Sequence, residues 1–285
     1  MSVSNLAEMG LAPSTVALVT GGGGGIGLAC AGEFARRGMT VALLDRNAAL
    51  LAEAADRVRA EGAAEVVTYG ADVSDAGALA KVEADLANRF GGVDVLMNNA
   101  AISGWGNTSI SPGAWADVLA VNLWGVIHGT QAFAPRMIER GRPGMIINTG
   151  SKQGITTPPG NPAYNVAKAG VKAFTEALAH ELRNTEGCRI TAHLMIPGFV
   201  FTGMTGGGRT EKPAPAWTPE QTAAFMIESL ERGDFYILCP DNDVPRALDE
   251  KRMAWAMGDI IENRPPLSRW HPDYAEAFEA FVKGD

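Results

Sequence analysis

The stretch TVALVTGGGGGIG occupies residues 15–27 and decides the fold of this chain. Its first six residues form a short apolar run with β-branched side chains, which is typical of a buried strand. Glycine fills positions 21–25, and helical spacing of apolar residues begins at Ile26. Strand, glycine loop and helix in this order predict the first unit of an α/β fold.

The glycine loop can hold a phosphate group without any basic side chain. Gly21, Gly25 and Gly27 permit a sharp turn and the close approach of a pyrophosphate. The negative charge then meets backbone N–H groups at the N-terminus of the helix that Ile26 enters. A flexible surface turn is the alternative interpretation of any glycine-rich stretch, and the strand–loop–helix order favours the phosphate site.

The same alternation of strand and helix continues along the chain. Short apolar runs predict further strands at 40–45, 65–69, 93–97, 145–149, 189–196 and 235–238. Helical stretches separate them at 48–59, 74–90 (with Ser74 as its cap), 112–140, 163–183 and 219–231. This order predicts a doubly wound parallel sheet between two layers of helices, the α/β/α arrangement of the Rossmann fold.

We expect one domain over residues 1–285, because no linker or internal repeat divides the sequence. Its core would span residues 13–240. The stretch at 198–219 is rich in glycine, threonine and proline and predicts a substrate lid loop. Residues 241–285 form a C-terminal extension that reads as a helix, a Pro-Pro break and a short amphipathic helix.

Composition excludes several classes of function. The chain has 24 basic and 32 acidic residues, so its net charge of −8 argues against nucleic-acid and anionic-membrane binding. Its three cysteines are widely spaced and predict buried, reduced thiols. We expect a cytoplasmic protein, since no secretory signal and no long apolar run is evident. The four histidines show no metal-ligand spacing, so no metal site is predicted.

Asp45 indicates which dinucleotide the site would take. It stands at the end of the second predicted strand, 18 residues after Gly27. A carboxylate there can accept hydrogen bonds from both ribose hydroxyls and would repel a 2′-phosphate. Arg46 is adjacent and could tolerate that phosphate. The sequence therefore predicts NAD as cofactor and leaves NADP as the less favoured alternative.

Seven motifs in this chain resemble those of the short-chain dehydrogenase/reductase family, in the family's order and spacing. The resemblance covers about residues 13–240. The motifs are Thr20-Gly-x-x-x-Gly25-Ile-Gly27, Asp72-Val73, Asn98-Asn99-Ala100, Asn122, Ser151, Tyr164-x-x-x-Lys168 and Pro197-Gly198-x-Val200-x-Thr202. Any one of them could arise by chance, whereas all seven at predicted strand ends and helices form a specific pattern.

The resemblance implies a catalytic set of four residues. Tyr164 would be the acid/base, Lys168 the ribose ligand, Ser151 the group that orients the substrate carbonyl, and Asn122 part of a water relay. Tyr164 and Lys168 are four positions apart, so they share one face of a helix. A neighbouring ammonium would lower the phenol pKa from its usual value of about 10. Singly, each residue also has a structural interpretation, such as a helix cap for Ser151.

The remaining motif residues would bind the cofactor. The resemblance implies that Asp72 accepts the adenine amino group beside Val73, and that Asn99 and Ala100 contact the cofactor. Pro197, Gly198, Val200 and Thr202 would hold the nicotinamide carboxamide. One departure follows Ala100, where the family usually has glycine and this chain has Ala101.

The substrate side is less defined by sequence. Trp105, Phe199, Met204 and Trp217 predict a pocket for a medium-sized aromatic or alicyclic alcohol, or alternatively they pack the lid loop. The resemblance implies interconversion of a secondary alcohol and a ketone. A non-catalytic dinucleotide-binding regulator and a redox-cycling epimerase or dehydratase are the alternatives on this fold. A homodimer or homotetramer is expected, although the long tail departs from the family's usual tetramer contacts.

Overall fold

The computed structural model describes residues 4–104, 108–109 and 113–284. Seven parallel strands form one sheet in the order β3-β2-β1-β4-β5-β6-β7. The strands are β1 Val16–Thr20, β2 Thr40–Asp45, β3 Glu65–Gly70, β4 Val95–Asn98, β5 Gly144–Thr149, β6 Ile190–Ile196 and β7 Tyr236–Leu238. The strand order reverses between β1 and β4, which opens a crevice at the carboxyl ends of these two strands.

Twelve α-helices flank and extend the sheet in the described part of the chain. The first six are α1 Ser4–Glu8, α2 Gly25–Ala35, α3 Ala48–Ala60, α4 Ala76–Phe90, α5 Trp115–Leu119 and α6 Gly125–Glu139. The others are α7 Gln153–Thr156, α8 Pro162–Asn184, α9 Gly203–Gly206, α10 Pro219–Glu231, α11 Arg246–Ile261 and α12 Ala275–Lys283.

The sheet separates two apolar cores. On one face α2, α3 and α10 bury residues such as Phe34, Leu51 and Met226 against β1, β2 and β4. On the other face α4, α6 and α8 bury residues such as Phe133 and Leu178. The central strands are buried on both faces, as a parallel sheet covered by two helix layers requires. The predicted α/β/α fold is confirmed.

The structure differs from the sequence-based expectation at two helix starts. Asp75, and not Ser74, caps α4, because its Oδ1 accepts hydrogen bonds from the N–H groups of Gly77 (2.8 Å) and Ala78 (3.1 Å). The helix expected at 112–140 is not a continuous α-helix. A π-helical turn, Ala120–Trp124, joins α5 to α6, and residues 110–112 lie outside the described residues.

The stretch at 198–219 is partly ordered into regular structure. It contains the short helix α9 and a parallel bridge between Val200 and Trp217. Beyond it, α11 and α12 are separated by 3₁₀ turns at Ser268–Trp270 and Pro272–Tyr274. Within the described residues, no helix is both long and apolar enough to span a membrane.

Candidate active site

The glycine loop folds tightly against the end of β4. Gly21 has φ +65°, and a Cβ built on it would lie 2.8 Å from the Ala100 Cα. A Cβ on Gly27 would collide with the Gly21 carbonyl oxygen. Only glycine meets both constraints, so at these two positions no side chain of the loop itself covers the backbone.

Thr20 ties this loop to the residues after β4. Its Oγ1 accepts hydrogen bonds from the N–H groups of Asn99 (2.9 Å) and Ala100 (3.1 Å). The Asn99 side chain donates back to the Thr20 carbonyl (3.1 Å). The sequence motifs of the two strand ends therefore form one rigid unit at the crevice.

Asp45 lies where β2 meets the glycine loop. Its Oδ2 accepts from the Gly23 N–H (3.2 Å) and its Oδ1 from the Asn47 N–H (2.9 Å). The carboxylate is therefore held in place beside the loop, with one edge lining the main cavity of the crevice.

A smaller cavity of about 70 Å³ lies on the far side of Asp45. Arg46, Asp72 and Val73 line it. Asp72 accepts from the Ser74 side chain (2.7 Å) and backbone (2.8 Å), which lowers the pKa of the Asp72 carboxyl. The predicted adenine-side residues are thus gathered at one end of the crevice.

The main cavity has a volume of about 380 Å³ and runs from the glycine loop to Tyr164. Several residues that sequence reasoning missed also line it, because only the fold brings them to the crevice. They are Leu50, Ala101, Thr149, Gly150 and Thr205.

Tyr164 and Lys168 both point from α8 into this cavity, where Ser151 lines the opposite wall. The Lys168 Nζ donates to the Thr149 carbonyl (2.7 Å) and lies 5.6 Å from the centre of the Tyr164 ring. Ser151 is close enough to the Tyr164 side chain to act against the rise of the phenol pKa. The three predicted catalytic side chains are therefore brought together.

Burial controls the pKa of both α8 groups. It raises the pKa of Tyr164 to about 12, and the hydrogen bond from Ser151 only partly opposes this. It lowers the pKa of Lys168 to about 8. In this state the phenol pKa is thus raised, contrary to the sequence-based expectation, because desolvation of the phenolate outweighs the stabilising groups around it.

Asn122 is fully buried in the π-helical turn. Its side chain donates to the Ile102 carbonyl (2.9 Å) and accepts from the Ile102 N–H (2.7 Å). Both ends of the amide are therefore occupied by the segment after β4. The structure gives Asn122 an anchoring contact that the sequence did not indicate.

The segment after β6 closes the other side of the cavity. Pro197, Gly198, Val200 and Thr202 all line it, as predicted. Thr202 caps α9, since its Oγ1 accepts from the Thr205 N–H (3.4 Å). This capping box holds the segment in place beside Gly25.

The four residues expected on the substrate side are placed differently from one another. Met204 lines the main cavity and is 40% exposed. Phe199 and Trp217 pair through their backbones (Trp217 N–H to Phe199 carbonyl, 2.9 Å), and the Trp217 ring packs against Phe225. Neither lines the cavity. Trp105 lies outside the described residues.

A dinucleotide fits this crevice in its chemistry. The glycine loop offers unscreened backbone N–H groups at the start of α2, and Asp45 offers carboxylate oxygens for a ribose. In the described part of the chain, no group of three or more His, Cys, Asp or Glu side chains could hold a metal ion.

Comparison with known proteins identifies the family. Residues 15–213 match the sequence profile of the short chain dehydrogenase family. This chain belongs to the short-chain dehydrogenase family. The match covers the glycine loop, Tyr164, Lys168 and the segment after β6, so the family's shared region and the crevice coincide.

Individual relatives agree with this assignment. The chain is 30% identical over 264 residues to "1-deoxy-11-beta-hydroxypentalenate dehydrogenase" of Streptomyces exfoliatus, covering 89% of this chain and 93% of that one. A short-chain dehydrogenase/reductase from Burkholderia phymatum, solved with NAD, has a TM-score of 0.80 at 30% identity and covers 90% of this chain and 97% of that one.

Both forms of the nicotinamide dinucleotide occur among similar structures. A metagenomic short-chain oxidoreductase solved with NADP has a TM-score of 0.66 at 26% identity and covers 80% of this chain and 98% of that one. Membership of this short-chain dehydrogenase family therefore supports an oxidoreductase that uses a nicotinamide dinucleotide and acts on a hydroxyl or keto group.

Proposed function

We propose that this protein is an NAD-dependent oxidoreductase that interconverts a secondary alcohol and a ketone. The observation that carries the proposal is the meeting of Ser151, Tyr164 and Lys168 in the cavity that also contains the glycine loop. An acid/base set beside a dinucleotide cradle is the arrangement that hydride transfer between a cofactor and a carbonyl carbon requires.

Tyr164 is the group that moves the hydroxyl proton. In ketone reduction its phenol donates the proton to the carbonyl oxygen, and its pKa of about 12 keeps it protonated at neutral pH. Ser151 holds the same oxygen by a hydrogen bond and so stabilises the charge that develops there. A bound nicotinamide supplies or accepts the hydride.

Lys168 assists in two ways. Its pKa of about 8 leaves it mainly protonated at pH 7, so its ammonium favours the phenolate that forms on Tyr164. Its anchoring on the Thr149 carbonyl keeps the charge close to the Tyr164 ring. The same ammonium can donate to the cofactor ribose, and Asn122 supports the relay of protons to solvent by anchoring the segment after β4.

Asp45 supports NAD over NADP. Its carboxylate is held beside the glycine loop by two backbone N–H groups, at the position where the family places the adenosine ribose. A 2′-phosphate there would meet a fixed negative charge, which Arg46 offsets only in part.

The substrate class is a medium-sized aromatic or alicyclic alcohol. Met204, Val200 and Ala101 give the cavity an apolar lining beside the polar Ser151 and Tyr164. Turnover of a panel of cyclic, steroidal and benzylic secondary alcohols, followed by NADH formation, tests this class.

Tyr164→Phe tests the assignment of the acid/base. The exposed Tyr236→Phe is the matched control, because Tyr236 bonds only to Glu176 on the surface in the described structure. We expect Tyr164→Phe to lower kcat by at least about 100-fold, the usual contribution of a general acid, with Tyr236→Phe unchanged. Full turnover by Tyr164→Phe would refute the assignment. NADH binding without turnover by the native protein would favour the non-catalytic alternative.

We also place the protein in the cytoplasm as a homodimer or homotetramer. Trp124 is 51% exposed on the π-helical turn, and Val166 is 49% exposed on α8. Large apolar side chains exposed on these two neighbouring helical segments favour subunit contact. Analytical ultracentrifugation measures the mass of the native protein and of Trp124→Glu. We expect the native protein to sediment as a dimer or tetramer and the variant as a smaller species.

A further inference from the structure

A second cavity lies between α7 and the C-terminal extension. Its volume is about 490 Å³, and it shares no lining residue with the main cavity. Ile155, Thr156 and Thr157 form its wall on the body of the protein, and α11 with the segment after it forms the rest. The size suits a small organic molecule.

The cationic lining of this cavity is only partly neutralised. Three arginines line it, with Asp259 as the one carboxylate among its lining residues. Arg264 pairs with Asp259 (Nε to Oδ1, 3.0 Å) and covers the Trp255 ring at 4.0 Å. Arg252 and Arg269 form no ion pair with any residue that the structure describes.

A further carboxylate close to the two arginines, Asp249, is already engaged in an ion pair. Asp249 lines a smaller neighbouring cavity with both arginines, but its ion pair is with Lys152 (Oδ2 to Nζ, 2.6 Å), and it acts on the arginines only through its charge. The Arg252 Nε is buried and has no hydrogen-bond partner in the described structure. A buried donor without a partner is costly, so this N–H group is available to an acceptor that enters the cavity.

The electrostatics agree with this geometry. Burial, with the charge of Arg252 nearby, lowers the pKa of Arg269 to about 10. Arg269 stays charged at pH 7, so two guanidinium groups line one cavity without an ion-pair partner of their own in the described structure.

The backbone around the cavity is strained. Thr157 (φ 42°), Asn263 (φ 54°) and Leu267 (φ 58°) all line it. Ser14 is the one other residue besides glycine with positive φ in the described chain. Such conformations are rare for a β-branched threonine and cluster at ligand sites.

The other walls are apolar. Ile155, Pro266 and Leu267 line the cavity, and Trp270 is 40% exposed at its edge. The Arg269 guanidinium stacks on the Trp270 ring at 4.7 Å. The cavity thus combines two guanidinium groups, which can each bind a carboxylate through two N–H groups, with flat apolar side chains.

We propose that this cavity binds an organic carboxylate with an apolar, ring-sized body, whose carboxylate lies between Arg252 and Arg269. The site is separate from the dinucleotide crevice, and the proposal does not rest on the oxidoreductase activity. Because α7 begins two residues after Ser151, an occupant would also contact the segment that carries this serine.

Calorimetric titration of the native protein, saturated with NAD, tests the proposal. The probes are 2-naphthoate, octanoate and the neutral 2-naphthamide. We expect 2-naphthoate to bind at least tenfold more tightly than 2-naphthamide. Arg252→Gln and Arg269→Gln should each remove this preference. Arg246→Gln is the matched control, because Arg246 lies on the same helix in an exposed pair with Glu250.

Three results would overturn the proposal. They are equal affinity for 2-naphthoate and 2-naphthamide in the native protein, an unchanged preference in both cavity variants, or no binding of either carboxylate at millimolar concentration. Circular dichroism of each variant establishes that it is folded. Since the native protein alone gives the first and third results, a variant that fails to fold leaves the test intact.

Discussion

At the scale of single residues, the crevice is characterised by a few charged or titratable side chains and by how deeply each is buried. Burial raises the pKa of Tyr164 to about 12 and lowers the pKa of Lys168 to about 8. Asp45 adds a carboxylate to the same crevice, where it accepts hydrogen bonds from the Gly23 and Asn47 N–H groups. Substitutions of Tyr164 and of Asp45 therefore test the proposed proton transfer and the proposed cofactor choice separately.

Asp45→Ala should change the choice of cofactor. We expect kcat/KM with NAD to fall roughly 10- to 100-fold, since a hydrogen bond to a charged group contributes about 1.5 to 3 kcal/mol. Activity with NADP should fall less or rise, because Arg46 remains. Asp56→Ala, which removes an exposed carboxylate of α3, should leave both unchanged. An unaltered NAD-to-NADP ratio in Asp45→Ala would contradict the role proposed for Asp45.

At the scale of elements, the strand ends hold the site by close backbone packing. The turn before α2 depends on Gly27, where any Cβ would meet the Gly21 carbonyl oxygen. The middle of β6 carries a buried polar contact, in which His193 Nδ1 donates to the Asp234 carbonyl (2.9 Å). We therefore expect the turn before α2 to be sensitive to added side-chain volume and β6 to be sensitive to pH.

Gly27→Ala should destabilise the protein by about 3 kcal/mol, the upper range for overpacking a well-packed site. Gly24→Ala is the matched control within the same loop, because a Cβ there meets no atom within 4 Å. Its cost should stay below about 1 kcal/mol, as expected for alanine at a helix N-cap. Urea unfolding measures both, and equal losses would refute the packing argument.

His193 should make stability depend on pH. Burial lowers the pKa of His193 in the folded protein, so the unfolded chain binds more protons as pH falls through about 6.5. The free energy of unfolding should therefore fall between pH 7 and pH 5.5. His193→Gln should reduce that slope, whereas the exposed His180→Gln should not. Urea unfolding at the two pH values measures it, and an unchanged slope in His193→Gln would rule the contribution out.

At the scale of the whole molecule, one buried ion cluster joins the extension to the catalytic region. Lys152 follows Ser151 and binds Asp249 of α11 (2.6 Å) as well as Asp241 (3.3 Å). Asp241 also accepts from the Phe199 N–H (3.3 Å) in the segment after β6. Burial raises the pKa of Asp249, although Lys152 and Arg252 both act against this rise.

Lys152→Met should cost about 3 to 5 kcal/mol of stability, because it leaves two buried carboxylates without their cation. Adding Asp249→Asn to that variant should restore more than about 1 kcal/mol by removing one of them. The exposed Lys172→Met, whose partner is Glu176, is the control and should cost less than about 1 kcal/mol. Absence of any rescue in the double variant would show that the coupling is not electrostatic.

The sequence by itself determined the order of elements and many of the residues that line the crevice. Alternating apolar runs and helical stretches are local patterns, so the strands and the α/β/α layers were predictable from residues 15–27 outward. The glycine loop and the Tyr164–Lys168 spacing were predictable for the same reason, since both depend on one continuous segment. Asp75 in place of Ser74 as the cap of α4 shows that such local patterns locate a boundary only within a residue or so.

Only the tertiary structure decided the features that join distant segments. The π-helical turn at Asn122 is associated with its contacts to Ile102, and the raised pKa of Tyr164 arises from the surfaces that bury it. The Trp217 ring packs against Phe225, and the Trp217 backbone forms a bridge with Val200 in the segment after β6. The arginine cavity of the extension also forms only when α11 packs beside α7. Burial and long-range contacts depend on how the whole chain packs, so they cannot be predicted from the spacing of residues along the sequence.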